Sequence, residues 1–109
     1  MSRRTGLVWH ELYMWHNTGK YAGVMPPGLQ VQPYEHSEHP ETKRRFKNLL
    51  DVAGLTEQLV AISPRPATEA EILMLHEPDH LARMKILNET GGEAGIGTPM
   101  GVGSYDIAL

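Results

Sequence analysis

Two short apolar runs, separated by a long loop and a helix, limit the possible folds of this chain more than any other feature. Leu7-Val8-Trp9 follows Gly6 and is typical of a buried strand, and Leu59-Val60-Ala61-Ile62 gives a second strand that ends before Pro64. Strands that alternate with helices pair in parallel. Because two strands do not form an independently stable sheet, the sequence predicts an incomplete α/β domain over residues 1–109.

The predicted helices have clear start and stop signals. Pro40 suits the first position of a helix, and Gly54 is a plausible C-terminal cap for it. Thr68 and Glu71 have the spacing of a capping box for a second helix, and Pro78 is predicted to begin a third. The apolar stripe of the first helix consists of Phe46, Leu49, Leu50 and Ala53.

Two segments rich in glycine and proline, residues 16–40 and 91–103, are predicted as loops. Loops of that length in a compact domain are usually functional or disordered. Ser104 is a suitable N-cap for a last helix, of which residues 105–109 form the first turn. An apolar helix that stops after one turn is a second indication of an incomplete domain.

Composition argues against several classes of partner. The net charge of −3 provides no basic surface for nucleic acid, and no apolar run has the length of a membrane span. The start, Met1-Ser2-Arg3-Arg4, is positive, but the run after it is too short and polar for a signal peptide. The absence of cysteine excludes disulfides and thiolate metal sites and fits a reducing cytoplasm.

The segment 76–80 matches the His-Glu-x-x-His pattern of zinc proteases. That pattern needs both histidines on one continuous helix, whereas Pro78 lies between His76 and His80 and favours a helix start. We therefore prefer a corner between two helices to a protease site. Similarly, His36 and His39 could chelate a metal, but without cysteine or a carboxylate pair a surface loop is the preferred interpretation.

Two further patterns have weaker functional interpretations. The glycines at 95, 97 and 101 are spaced Gly-x-Gly-x-x-x-Gly, which is neither the dinucleotide fingerprint nor a phosphate loop. A flexible surface loop is the preferred interpretation there. Trp9, Tyr13 and Trp15 could line a pocket, although packing around the first strand is the simpler expectation.

Several segments, taken in order, resemble the N-terminus of class II-like histone deacetylases and the bacterial acetylpolyamine amidohydrolases. The first is Thr5-Gly6-Leu7-Val8-Trp9-His10, and the second, at residues 39–45, is similar to a His-Pro-Glu-x-x-x-Arg signature. Residues 67–73 with His76 and His80 resemble the next two helices, and residues 91–95 and 103–109 resemble the loop and helix that follow. The resemblance covers nearly the whole chain.

The resemblance implies an arginase-like α/β fold with a central parallel sheet, in which zinc promotes hydrolysis of acetyl-lysine or an acetylated polyamine. The family's zinc ligands, histidine pair and catalytic tyrosine lie beyond the point that corresponds to Leu109. No catalytic or metal residue is therefore assigned in this chain, and zinc is not expected to bind it specifically.

Two family roles can be carried over to residues present here. Arg45 matches the arginine of the signature, which in relatives lies beside an internal channel for acetate. Residues Gly95, Ile96, Gly97 and Thr98 match the loop at the rim of the substrate site. Ile96 stands where the resemblance leads us to expect aspartate, which puts the grip on substrate in doubt and fits a decaying or truncated gene.

The sequence thus predicts a fragment of a zinc-dependent deacetylase that is inactive alone. The alternative is a small non-catalytic protein that binds a partner through its long loop and glycine-rich segment. Neither interpretation fixes the oligomeric state.

Overall fold

The computed structural model describes residues 3–109, so Met1 and Ser2 of the basic start lie outside the described residues. The chain forms a small mixed domain of helices and short strands. Two 3-10 helices lie at Glu11–Trp15 and Thr56–Gln58. The other elements are β1 (Gly6–Val8), α1 (Glu41–Val52), β2 (Val60–Ile62), α2 (Glu69–Ile72), α3 (Pro78–Thr90), β3 (Gly92–Gly95), β4 (Thr98–Met100) and α4 (Ser104–Ala108).

The two predicted strands pair in parallel, as their alternation with helices required. Leu7 lies opposite Ala61 in the register, and the Val60 N–H donates to the Thr5 carbonyl at 2.9 Å. Within residues 3–109 this sheet has no third strand. The expectation that β1 is buried was wrong, because Val8 is 47% exposed and Leu7 is only half-buried.

Helix α1 lies close to its predicted boundaries. Pro40, expected as its first residue, is instead the N-cap, and the helix ends at Val52, with Ala53 as the C-cap. Gly54 follows with a left-handed φ of 73°, as a glycine after a helix end was expected to do. The Leu55 N–H donates to the Leu50 carbonyl, and the Gly54 N–H donates to the Asp51 carbonyl. These two bonds form a Schellman cap, which satisfies carbonyls that would otherwise lack partners at the end of the helix.

The capping box at Thr68 is also confirmed: the Glu71 N–H donates to the Thr68 side chain, and the Glu71 carboxylate accepts from the Thr68 N–H. Pro78 is the first residue of α3, as predicted. Its missing N–H costs nothing there, because the first amides of a helix have no partner within the helix.

The segment 91–103 differs from the predicted loop. Strands β3 and β4 form an antiparallel hairpin with a turn at Ile96 and Gly97, where Gly97 has a φ of 72°. Ser104 is the first residue of α4, and Gly103 occupies the N-cap position instead. The long segment 16–40 is irregular, as predicted, and contains only isolated bridges such as Ala22 with Met25.

The apolar surface of the described chain is largely uncovered. Among residues 3–109, Leu81 is the one buried hydrophobic residue, and it still exposes 5% of its surface. The accessible surface is 8488 Å², whereas a compact protein of this mass exposes roughly 6,000 Å². The radius of gyration is 16.8 Å, against about 13 Å for a compact domain of similar length. The described elements therefore pack loosely and leave much of their apolar surface open.

No helix within residues 3–109 has the length and apolar character needed to cross a bilayer.

Candidate functional site

A concave surface, which we call the histidine cleft, has a volume of about 750 Å³. It lies between the first 3-10 helix, the corner that joins α2 to α3, the β-hairpin and α4. Its walls are mainly apolar and include Leu81, Met84, Met100 and Ile107. The polar side chains that line it are Tyr13, His16, His76, His80, Thr98, Ser104 and Tyr105.

One wall of the cleft is fixed by a hydrogen-bonded contact between His16 and Ser104. The Gly101 N–H donates to Ser104 Oγ at 2.9 Å, and Ser104 Oγ lies 2.7 Å from His16 Nδ1. Burial lowers the pKa of His16, which favours the neutral form of the ring. The contact ties the loop after the first 3-10 helix to the start of α4.

Gly101 is required where this loop meets the end of the hairpin. A Cβ at position 101 would lie 2.9 Å from the Asn17 carbonyl oxygen and 2.7 Å from Asn17 Cβ. Both distances are shorter than normal contacts, so a larger residue would push the backbones apart. Glycine therefore permits the approach on which the bond between His16 and Ser104 depends.

Helix α4 is held in place by Asn88 of α3. The Asn88 amide donates to the Asp106 carboxylate at 3.0 Å and accepts from the Asp106 N–H at 3.2 Å. The Asn88 carbonyl also accepts from the Gly103 N–H at 2.9 Å. These bonds present Ser104 and Tyr105 to the cleft from a helix of only five residues.

The two histidines of the His-Glu-x-x-His match meet in the cleft. His76 precedes the N-cap Glu77, whereas His80 lies in the first turn of α3, so Pro78 does separate them as predicted. Their rings nevertheless stack, with centroids 4.9 Å apart and planes inclined by 22°. This contact was not predicted, and it occurs at a helix corner instead of along the continuous helix of a zinc protease.

Tyr105 brings a buried polar atom without a partner to the same cleft. Its hydroxyl is inaccessible to solvent and has no hydrogen-bond partner within the described chain. Burying a hydroxyl without a hydrogen bond costs free energy, so the Tyr105 hydroxyl is a polar group whose hydrogen bond is missing among the described residues.

The segment that resembles the His-Pro-Glu signature lies at the start of α1. His36 is buried, its Nδ1 accepts from the Glu38 N–H at 3.0 Å, and its buried Nε2 has no hydrogen-bond partner among the described residues. Arg44 bridges Glu11 and Glu41, which lowers the pKa of Glu11. Arg45 is exposed on α1 and is not among the residues that line the histidine cleft.

The four residues matched to the rim loop form the tip of the β-hairpin. Thr98 pairs with Gly95 and lines the cleft, whereas Ile96 is 91% exposed at the turn. Arg83 of α3 anchors the hairpin by donating to the Ala94 carbonyl at 2.9 Å. The tip is thus positioned at the edge of the cleft.

The aromatic residues of the first turn are divided between two environments. Trp9 and Tyr13 meet edge to face with centroids 6.4 Å apart, and the Lys47 ammonium lies 5.7 Å from the Trp9 ring centroid. Tyr13 also lines the histidine cleft, whereas Trp15 is exposed. Trp9 and Tyr13 also line a smaller pocket of about 390 Å³ against α1, so two of the three aromatic residues line a pocket.

The donor set of the described residues does not fit the zinc centre that the resemblance implies. A catalytic zinc takes three protein ligands, and residues 3–109 contain no group of three or more His, Asp or Glu side chains that could hold a metal. His76 and His80 supply only two imidazoles, and their planes are stacked. No step of zinc chemistry can therefore be derived from these residues.

Sequence reasoning missed His16, Ser104 and Tyr105 as members of one site. His16 and Ser104 are separated by 88 positions, and neither belongs to a recognisable catalytic spacing. The available signal was the cluster of glycines before Ser104, which indicates a close backbone approach but does not identify its partner.

Comparison with known proteins relates the chain to a curated relative. No family model matches the chain. The chain is 46% identical over 112 aligned residues to a protein of Pseudomonas aeruginosa named histone deacetylase-like amidohydrolase. The alignment covers 99% of this chain but only 30% of that relative. The resemblance inferred from the sequence is thereby confirmed: along nearly its whole length, the chain is similar to part of a histone deacetylase-like amidohydrolase.

Proposed function

We propose that these 109 residues are the portion of a zinc-dependent, deacetylase-like amidohydrolase that shapes the substrate site, and that they do not catalyse hydrolysis alone. The observation that carries this proposal is the 46% identity over 99% of the chain. In the whole protein, the substrate would be an acetyl-lysine or an acetylated polyamine, and the fold would be the arginase-like parallel sheet to which β1 and β2 contribute. A chain without cysteine suits a cytoplasmic location.

The arrangement of the described residues supports a role in forming the walls of the substrate site more than a role in catalysing hydrolysis. The hairpin tip at Gly95–Ile96–Gly97–Thr98 lies at the edge of the histidine cleft, where it could contact an incoming substrate. Arg45 carries a full positive charge on an exposed helix face and could act beside an acetate channel only if further elements enclose it. Both roles depend on the rest of the domain.

A chimera tests the proposal directly. The segment of the Pseudomonas relative that aligns with this chain is replaced by residues 1–109, and hydrolysis of an acetyl-lysine peptide and an acetylated polyamine is measured. We expect the chimera to be active with zinc and the isolated chain to be indistinguishable from buffer. A soluble, folded chimera without activity, or zinc-dependent turnover by the isolated chain, would contradict the proposal.

A further inference from the structure

We propose that His36 is a pH-sensitive latch: its neutral ring holds the turn through which the irregular segment 16–40 enters α1, and the ring releases this turn when it is protonated. The inference goes beyond the proposed function, because it concerns how this chain responds to acid and not what the whole protein hydrolyses. It stands on the hydrogen bonds and the burial of one imidazole ring.

The turn that leads into α1 is built around His36. Its ring accepts from the Glu38 N–H at 3.0 Å through Nδ1, and its carbonyl accepts from the His39 N–H at 3.1 Å. The His39 carbonyl then accepts from the Thr42 N–H at 3.2 Å and from the Thr42 hydroxyl at 3.0 Å. Because Thr42 lies in the first turn of α1, these bonds connect the His36 ring to the start of the helix.

The contact made by the His36 ring requires its neutral form. Nδ1 can accept from the Glu38 N–H only while it carries no proton, so the one proton of the neutral ring lies on Nε2. His36 exposes 2% of its surface, and its buried Nε2 has no partner among the described residues. A second proton, on Nδ1, would set two donors against each other and charge a buried ring that lacks an acceptor at Nε2. The charged ring therefore has to leave this position, and the bond from Glu38 is lost when it does.

The charged groups around the turn favour the released ring over a charged ring in place. The titratable groups on the turn and on the concave surface beside it are His16, Lys20, Glu35, Glu38, His39 and Glu41. Within residues 3–109 no carboxylate accepts from Nε2 of the buried ring. The hydrogen bond from Lys20 lowers the pKa of Glu35, so this carboxylate stays ionised across the range in which histidine titrates. Once the ring is released, Glu35 and Glu38 are close enough along the chain to pair with its charge.

His10 makes the same contact at an exposed position and provides an internal comparison. Its Nδ1 accepts from the Leu12 N–H at 3.0 Å, again two residues further on, as the N-cap of the first 3-10 helix. Because His10 is exposed, water can replace the lost bond and can solvate the charged ring. The two histidines share one geometry and differ in burial, so burial is what should make the His36 contact sensitive to pH.

Hydrogen exchange at the Glu38 amide tests the latch in the chain of residues 1–109. Each exchange rate is divided into that of an unstructured amide at the same pH, which removes the pH dependence of the exchange reaction itself. Between about pH 8 and about pH 5, the range in which histidine changes charge, we expect the protection of Glu38 to fall. The loss of one buried hydrogen bond should lower it roughly tenfold. The Leu12 amide, beside the exposed His10, should change much less.

Asparagine provides a matched variant, because its side-chain oxygen can accept from the N–H two residues further on but does not titrate. In His36→Asn the Glu38 amide should keep its protection at both pH values. His10→Asn should leave the pH dependence at Glu38 unchanged. Lys20→Met, which removes the partner of Glu35, should also leave it unchanged, because the carboxylate is not the group that senses the proton.

The ring nitrogens of His36 can also be observed directly by NMR, which keeps the inference testable if His36→Asn fails to fold. In the unmodified chain the proton should lie on Nε2 at about pH 8, and the charged ring should appear only where the protection of Glu38 is lost. A proton on Nδ1 at the higher pH, an unprotected Glu38 amide there, or equal losses at Leu12 and Glu38 would overturn the inference. A folded His36→Asn chain that still loses protection on acidification would overturn it as well.

Discussion

At the scale of single residues, the polar contacts that define the structure are of two kinds, and only one was predictable. The caps formed by Thr68, Glu71 and Gly54 involve neighbours in sequence, so residue spacing alone predicts them. The bond between His16 and Ser104 joins positions 88 apart. It depends on how the hairpin and loop pack, and no local pattern encodes that packing.

The Glu71 carboxyl group allows the caps formed by sequence neighbours to be tested. The Arg65 guanidinium, followed by the Thr68 N–H, lowers the pKa of Glu71 from its usual 4.5 to about 2. The folded chain favours the ionised form of Glu71. The stabilisation of α2 by this carboxylate is therefore fully present above the ordinary glutamate pKa and is lost as the pH falls towards 2. We expect Arg65→Gln to raise this pKa, measured by NMR titration, and Arg83→Gln to leave it unchanged. An unshifted Glu71 in the unmodified chain would contradict the capping geometry.

The buried contact at Ser104 allows the contact between distant positions to be tested. Ser104→Ala leaves the Gly101 N–H and His16 Nδ1 without their shared partner. An unsatisfied buried group costs about 1–3 kcal/mol, so we expect faster hydrogen exchange at the Gly101 amide. Ser37→Ala, at an exposed position, serves as the control. Equal exchange rates in both variants would show that the contact does not hold the loop.

The same contact has a predicted pH dependence. Since burial lowers the pKa of His16, the unfolded chain binds its proton more readily than the folded chain does. Protection of the Gly101 amide should therefore be greatest above the ordinary histidine pKa of about 6.5 and decline as the pH falls below it. In Ser104→Ala the protection should be low throughout this range. If protection of the Gly101 amide increased on acidification, the pH dependence would be opposite to the one expected and would exclude a neutral His16.

At the scale of elements, periodicity predicted the helices and the parallel pairing but not the hairpin. Helix α1 has an apolar stripe with caps at both ends, whereas β3 reads Gly-Glu-Ala-Gly and lacks the β-branched residues that identify strands. The hairpin forms through its glycine turn and the bond from Arg83 to Ala94, which are features of tertiary context. Glycine-rich strands are therefore the elements that pattern reasoning misses here.

The junction between loop and hairpin can be tested with two glycines that differ in surroundings. Gly101→Ala places a Cβ within 2.9 Å of the Asn17 carbonyl, whereas the nearest atom to a Cβ at Gly95 is the Thr98 hydroxyl at 4.0 Å. We expect Gly101→Ala to shift the backbone amide resonances of Asn17 and Thr18 and Gly95→Ala to leave them in place. Similar shifts in both variants would argue against a close approach at position 101.

The corner between α2 and α3 determines what His76 and His80 can bind. Two stacked imidazoles on either side of a helix start lack the third ligand of a zinc site. We expect His76→Ala and His80→Ala each to leave zinc affinity at its weak surface level in calorimetric titrations. A sub-micromolar site that is lost in both variants would overturn this interpretation.

At the scale of the whole molecule, the prediction of an α/β domain with an uncovered sheet rests mainly on the two predicted strands that alternate with helices. The structure has the predicted parallel pair and exposes apolar helix residues such as Phe46, which is 63% accessible. The sequence could indicate that more structure is needed to cover these faces, because a two-stranded sheet is marginal. The histidine cleft could not be foreseen, since it is built from segments that are distant in the chain.

We therefore expect the isolated chain to be partly molten or prone to aggregation. Each large apolar side chain that stays exposed forgoes about 1.5–3 kcal/mol of burial, and whole domains have a margin of only about 5–15 kcal/mol. Dye binding should reveal accessible apolar surface, and the near-UV dichroism of Trp9 and Trp15 should be weak. A soluble monomer with a sharp thermal transition and fixed aromatic signals would contradict this expectation.

The pairing of β1 with β2 has a consequence for the order of folding. The hairpin and α1 contain only contacts between residues close in sequence, and such contacts form on a microsecond scale. The pairing of Gly6 with Val60, in contrast, closes a long loop that contains the irregular segment 16–40 and α1. The entropy of closing that loop must be overcome before the strand bonds form. During synthesis, β1 leaves the ribosome well before its partner, so its edge remains open to other extended chains until β2 arrives.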